Sequence, residues 1–174
     1  MKYRATVLAL ACLAVTAAAA GAESTQAKIQ RAMSAGPASI SARATIFDFD
    51  AKGQPIVLRK GTNAFWCYIG GPGVGNDAFC ADQAGMQWGA DWAAHKAAPT
   101  NKVPGIIYML RGGKDWSATD PWATKGTPIS EPPHWMIMYP YTAASGLPTT
   151  DKNTGSWIMW AGTPYAHLMI NQQP

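Results

Sequence analysis

Charged residues are scarce in this chain, at 14% of its 174 positions, and no stretch concentrates charge of one sign. Scattered charge leaves no electrostatic footprint for nucleic acid, so we expect no nucleic-acid partner. The formal net charge is +4, but Lys2 and Arg4 supply two of the 14 basic residues. Without them, 12 basic residues face 10 acidic ones, and the remaining net charge of +2 indicates no attraction to an acidic surface.

Long hydrophobic runs are missing beyond residue 22, which predicts no integral membrane segment in the rest of the chain. The N-terminus itself has a basic start, an apolar run from Ala5 to Ala20 and small residues up to Ala22. This order is typical of a cleaved secretory signal. We predict a signal peptide over residues 1–22, a single mature domain over residues 23–174, and export to the periplasm or the extracellular space.

Cysteine is also rare, and no Cys-x-x-Cys pattern of a redox or zinc motif is present. Only Cys67 and Cys80 remain after the predicted signal peptide. In an oxidising compartment, an even pair most simply forms a disulfide. Closing the loop between them stabilises the fold by about 3 kcal/mol on the chain-entropy model.

Apolar residues are plentiful, and their spacing predicts both helices and strands. Helical spacing predicts one helix over residues 25–35 and another over about 82–97, with Asp82 as its N-cap. Alternating or wholly apolar stretches predict strands in residues 44–61 (a hairpin), 63–69, 104–113, 134–140, 156–160 and 166–170. The predicted fold is α+β: an antiparallel sheet of about six or seven strands packed with two helices, with one disulfide.

Tryptophan is abundant, with eight residues, and several border a long segment without periodicity, residues 112–133. A loop of more than about 15 residues in a compact domain is either functional or mobile. Flat rings and short polar groups can bind a small ligand or a protein at a surface cleft. Alternatively, the rings fold back and cover one face of the sheet. The first interpretation predicts a non-enzymatic binding protein that uses Trp116, Trp122, Trp135 and Asp120.

The tetrapeptide His-x-Met-Ile occurs twice, at residues 134–137 and 167–170. On a strand, a histidine and the methionine two residues later share one face. If the two strands pair, imidazole and thioether groups converge, and this donor set suits Cu(I) or Ag(I). The competing interpretation is two core strands, because methionine readily fills gaps in cores. Binding of Cu(I) by His134, Met136, His167 and Met169 is the first alternative; otherwise no cofactor is predicted.

A hydrolase is the second alternative. Ser117 could act as a nucleophile with His134 or His167 as its base and an aspartate as orienter. However, the chain has no Gly-x-Ser-x-Gly elbow, and the residues before Pro121 are typical of a turn. The sequence therefore favours a non-enzymatic protein over a hydrolase.

Six blocks of the chain resemble the recurring blocks of a family of small exported bacterial proteins. They are "LRKGTNAFWCY", "FCADQAGMQWGADWAAHK", "YMLRGG", "SATDPWATK", "PPHWMIMYP" and "SWIMWAGTPYAHLMI". The resemblance covers nearly all of the mature chain. It implies secretion and a single domain, but it carries no activity and no catalytic residues to this chain.

Overall fold

The computed structural model describes residues 23–139, 145–151 and 155–171, so the predicted signal peptide lies outside the described residues. Within them, the chain forms three helices and ten strands. The helices are α1 (Thr25–Met33), α2 (Ala38–Ser41) and α3 (Gln83–Ala93). The strands are β1 (Thr45–Phe49), β2 (Pro55–Arg59), β3 (Trp66–Tyr68), β4 (Phe79–Ala81), β5 (Gly105–Met109), β6 (Gly113–Asp115), β7 (Ile129–Glu131), β8 (His134–Met138), β9 (Gly155–Met159) and β10 (His167–Asn171).

Eight of the strands form one sheet, in the order β2-β1-β3-β4-β5-β8-β10-β9. Neighbouring strands are antiparallel except β1 and β3, which are parallel. The predicted α+β class with a mainly antiparallel sheet is confirmed, although the strand count is slightly higher than expected. The additional strand is β4, whose three residues are too few to show a periodic pattern.

The predicted disulfide joins β3 to β4, where Cys67 and Cys80 lie directly opposite each other. Both residues are buried, and the Ala32 carbonyl oxygen of α1 lies 3.5 Å from Cys80 Sγ. A Cβ atom on Gly36, just after α1, would come within 2.8 Å of the same sulfur. The disulfide thus forms part of the surface on which α1 packs.

Helix α3 covers the opposite face of the sheet. Successive strand residues point to opposite faces, and Ala81, next to Cys80, packs in the core cluster of Trp88 from α3. The helix approaches β5 closely, because a Cβ on Gly105 would lie only 2.3 Å from the backbone nitrogen of Gly85. Glycine at this contact therefore brings the Trp88 side of α3 onto the sheet.

Helix α3 begins and ends through specific caps. The Asp82 carboxylate accepts a hydrogen bond from Gly85 N at 2.7 Å, which confirms the predicted N-cap. At the other end, His95 takes a left-handed conformation with φ of 52°. His95 N then donates to the Trp92 carbonyl, and Lys96 N donates to the Asp91 carbonyl, as in a Schellman motif. This cap ends the helix at Ala93, earlier than the predicted residue 97.

The long segment predicted as a loop, residues 112–133, pairs with itself at its two ends. Strands β6 and β7 form a separate two-stranded sheet, in which Gly113 lies opposite Glu131. This pairing holds Glu131 next to the start of β8. Among the described residues, no helix has both the length and the apolar character needed to cross a membrane.

Candidate functional site: two histidines on one sheet face

The two His-x-Met-Ile stretches form the same local structure. In each, the histidine is the first residue of a strand and bonds the carbonyl oxygen two residues earlier. His134 Nδ1 lies 2.7 Å from the Pro132 oxygen, and His167 Nδ1 lies 2.9 Å from the Tyr165 oxygen. A carbonyl oxygen only accepts, so Nδ1 carries the proton in both rings, and the lone pair of each neutral imidazole is on Nε2.

The register of β8, β10 and β9 places both histidines on one buried face. His134 lies opposite Asn171, and Met136 lies opposite Met169. Continued by one residue, the same register places Met138 opposite His167. On the other side of β10, His167 pairs with Met159 of β9. His167 is therefore flanked by a methionine on each neighbouring strand.

The two histidines lie at opposite ends of this face. His167 is four positions from Asn171, the residue opposite His134, and this spacing corresponds to roughly 13 Å between the Cα atoms along the strand. The four predicted metal ligands thus share one face, with the Met136–Met169 pair between the two imidazoles. The register spaces the two histidines apart along this face, so we describe each end separately.

The first of these, the methionine end, comprises His167, Met138 and Met159. All three are buried. Desolvation by burial lowers the pKa of His167 from 6.5 to about 4, so its imidazole is neutral around pH 7. The methionine end therefore combines a neutral imidazole with a buried methionine on each neighbouring strand.

Tryptophan rings enclose the methionine end. The His167 ring makes edge contacts with Trp88 and Trp160, at centroid distances of 5.2 and 5.0 Å. Trp88 and Trp160 lie nearly parallel at a centroid distance of 5.9 Å, and Trp92 and Trp160 are nearly parallel at 5.8 Å. Helix α3 and the turn after β9 together supply this aromatic wall.

The long segment is fixed to the same wall by tryptophan hydrogen bonds. Trp160 donates from Nε1 to the Ser117 carbonyl at 2.9 Å and from its backbone nitrogen to the Ala118 carbonyl at 2.8 Å. Trp92 Nε1 donates to the Pro121 carbonyl at 2.8 Å. These bonds attach residues 117–121 to the body of the protein, over the aromatic rings around His167.

The second, the glutamate end, comprises Glu131 and His134. Glu131 Oε2 lies 3.5 Å from His134 Nε2, and the two side chains are 8% and 0% exposed. Neither Glu131 Oε1 nor His134 Nε2 has a hydrogen-bond partner in the described part of the chain. Two buried polar groups that face each other without a normal hydrogen bond are uncommon in folded proteins.

Electrostatics keep the glutamate end neutral. Desolvation, reinforced by the charges of Asp115, Asp151 and Asp77, raises the pKa of Glu131 to about 8. Desolvation also lowers the pKa of His134. Near pH 7, the contact is therefore between a protonated carboxyl group and a neutral imidazole, although its geometry is that of a possible ion pair.

The residues predicted to bind a ligand through aromatic rings divide between the two faces. Trp122 is half-buried and stacks on His95 at 5.4 Å, and Asp120, which is exposed, accepts a bond from Trp122 N. Trp116 is half-buried near them in the chain. Trp135 alternates with His134 on β8, so it points to the other face, where its ring lies 6.2 Å from that of Tyr108.

The predicted hydrolase residues do not meet within hydrogen-bond distance. Ser117 Oγ accepts bonds from Thr119 N and Asp120 N, and it lies 3.2 Å from Thr119 Oγ1. No histidine is among the hydrogen-bond partners of Ser117 in the described residues. The hydroxyl therefore closes a local turn, as the turn-like sequence before Pro121 indicated.

Three residues of the two ends were missing from the predicted set. Met138 and Met159 had the right residue type and strand position, but only the register shows that they flank His167. Glu131 was assigned to an aperiodic loop, and its one sequence signal is the Glu-x-x-His spacing to His134. Among the described residues, no group of three or more His, Cys, Asp or Glu side chains could hold a metal ion.

Comparison with known proteins adds no further assignment. No family model matches the chain, and no curated protein and no solved structure matches it either.

Proposed function

We propose that this protein is an exported, non-enzymatic binding protein for a soft monovalent cation, Cu(I) or Ag(I), held by His167, Met138 and Met159. The supporting observation is the register, which gives His167 a methionine neighbour on each side of its strand. Thioether and imidazole groups are the ligand types that such ions prefer.

The state of His167 favours the same ligand role. Its Nδ1–H is engaged by the Tyr165 carbonyl, which fixes the ring and leaves Nε2 as the donor atom. A metal-binding histidine usually has this backbone or carboxylate partner on its other nitrogen. Because the pKa is lowered to about 4, no proton competes with the ion near pH 7.

The described chain has no free thiolate that would compete for the ion. Cys67 and Cys80 are joined in a disulfide, so neither supplies a thiolate. The flanking Trp88 and Trp160 rings would shield a bound ion from water and also report on it by fluorescence.

The test is an anaerobic titration with Ag⁺, followed by native mass spectrometry and tryptophan fluorescence. We expect one bound Ag⁺ and a change in fluorescence. Met159→Leu conserves core volume and should abolish the adduct, whereas the matched variant Met136→Leu, on the same face but away from His167, should keep it. No adduct in the unmodified protein, or an adduct indifferent to Met159→Leu, would contradict the proposal.

Aromatic recognition is the second candidate function, now limited to Trp116, Trp122 and Asp120. It is favoured by the fixed position of the loop, which leaves an exposed carboxylate beside the half-buried Trp122 ring. A screen of small ligands by ¹⁵N-edited NMR should shift the Trp122 indole resonance. Shifts confined to other regions of the protein would exclude this surface.

We propose export on the basis of the N-terminal pattern and the disulfide. Disulfides persist mainly in oxidising compartments, and the Cys67–Cys80 bond is therefore consistent with a periplasmic or extracellular location. Mass spectrometry of the protein recovered from its native host should show a mature chain that begins at Glu23. Recovery of the full-length chain from the cytoplasmic fraction would contradict export.

A further inference from the structure

The glutamate end differs from ordinary buried contacts in its spacing. The 3.5 Å between Glu131 Oε2 and His134 Nε2 exceeds the usual 2.7–3.2 Å or so of a hydrogen bond to nitrogen. Two ligands on one tetrahedral Zn²⁺, each at about 2.1 Å, lie about 3.4 Å apart. The observed separation is thus close to the edge of a zinc coordination tetrahedron.

We propose that Glu131 and His134 form a second cation site, which takes a divalent transition-metal ion of the Zn²⁺ type. This site is separate from the methionine end, and it does not depend on the proposed function. Carboxylate oxygen and imidazole nitrogen are both ligands of Zn²⁺. Glu131 and His134 would supply two of the ligands of such an ion.

The orientation of His134 supports this role. Its Nδ1–H donates to the Pro132 carbonyl at 2.7 Å, so the lone pair is on Nε2, which lies 3.5 Å from Glu131 Oε2. That lone pair has no hydrogen-bond partner within the described residues, and the ring is fully buried. A buried acceptor without a partner is destabilising, and coordination of an ion would remove this penalty.

The surrounding charge supports a cation as well. Asp115, Asp151 and Asp77 contribute to the raised pKa of Glu131, which means that they create a negative potential at its carboxyl group. The same potential favours a bound cation. Glu131 Oε1 also lacks a partner in the described chain, so both oxygens can bind the ion once the carboxyl group has released its proton to the solvent.

The experiment is a Zn²⁺ titration of the purified, disulfide-bonded protein by calorimetry and native mass spectrometry. We expect one equivalent of bound Zn²⁺. Glu131→Gln and His134→Gln should each lose it, because each removes one of the two ligands. Asp120→Asn, which changes an exposed carboxylate elsewhere, should retain it, and circular dichroism checks that every variant is folded.

The outcomes separate this site from the proposed function. Met159→Leu should lose Ag⁺ and keep Zn²⁺, whereas Glu131→Gln should lose Zn²⁺ and keep Ag⁺. Failure of the unmodified protein to bind Zn²⁺ would overturn the second site alone. Binding of Zn²⁺ that survives both Glu131→Gln and His134→Gln would overturn it too, because the ion would then lie elsewhere.

Discussion

The sheet face that carries His134, Met136, Met169 and His167 has two ends, and each contains a histidine from a His-x-Met-Ile sequence. The two ends differ in the side chains that lie next to that histidine. At the glutamate end, His134 faces a buried carboxyl group at 3.5 Å. At the methionine end, His167 has Met159 on one neighbouring strand and, by the continued register, Met138 on the other. The backbone bond to Nδ1 is the same in both.

This difference shows that the His-x-Met-Ile motif determines which nitrogen of its histidine carries the proton, but not which side chains lie near the other nitrogen. The strand start and the carbonyl two residues earlier decide the tautomer. The side chains near Nε2 come from other segments: β7 supplies a carboxyl group, while β8 and β9 supply methionines. The two ends therefore offer different donor atoms, and they should also respond to pH in opposite directions.

The largest expected effect is a loss of stability at alkaline pH, caused by ionisation of Glu131. Its folded-state pKa is raised from 4.5 to about 8, so its contribution to stability is intact below about pH 4.5 and is lost as the pH rises through 8. At about 1.4 kcal/mol for each unit, this loss is at most roughly 5 kcal/mol. Glu131→Gln cannot ionise, so its free energy of unfolding should exceed that of the unmodified protein more at pH 9 than at pH 5.

Urea unfolding of both proteins at pH 5 and pH 9 measures this difference. The exposed Asp120→Asn serves as the control, because it should give the same small difference at both pH values. If the Glu131→Gln difference is also the same at both, the carboxyl group is not held neutral in the folded protein.

The next largest effect is a loss of stability at acidic pH, caused by protonation of His167. Burial lowers its folded-state pKa from 6.5 to about 4, so its contribution is intact above about pH 6.5 and is lost as the pH falls through 4. The full loss is roughly 3 kcal/mol. His167→Phe has no titrating group, so the stability advantage of the unmodified protein over it should shrink between pH 7 and pH 4. A constant difference would mean that His167 is protonated in the folded state.

Removal of the disulfide should lower the free energy of unfolding without changing how the two ends respond to pH. The Cys67→Ala/Cys80→Ala variant should lose about 3 kcal/mol, as expected for the closed loop. The disulfide joins β3 and β4, away from the glutamate end and the methionine end. The loss of stability should therefore be equal at pH 5 and pH 9. Chemical denaturation at the two pH values tests this, and a loss that depended on pH would connect the disulfide to one of the ends.

Much of the fold could be predicted from local sequence patterns, because these patterns extend over enough residues to identify a strand, a helix cap or a cysteine pair. The apolar runs of β8 and β10, the Asp82 cap and the Cys67–Cys80 pair are all of this kind. Strand β4 has only three residues, and the end of α3 depends on a left-handed histidine, which has no clear sequence signal. These features depend on packing between distant segments.

The candidate site was less predictable, because the register of the strands decides which side chains lie next to each histidine. Alternation places His134 and Met136 on one face of β8, and the structure agrees. The same alternation puts Trp135 on the other face, away from Trp122. Met159 lies on the strand that directly precedes β10, but whether Met138 also flanks His167 depends on how β8 and β10 align, and no local pattern contains that information.

The smallest effect is expected at the centre of the face, where Met136 lies opposite Met169 between the two ends. Met136→Leu conserves volume and should cost less than about 1.5 kcal/mol. Met136 carries no charge, and it flanks neither Glu131 nor, by the register, His167. The variant should therefore keep both the alkaline and the acid dependence of the free energy of unfolding, as well as both metal equivalents. A loss of either would show that the two ends act through the residues between them, as a single extended site.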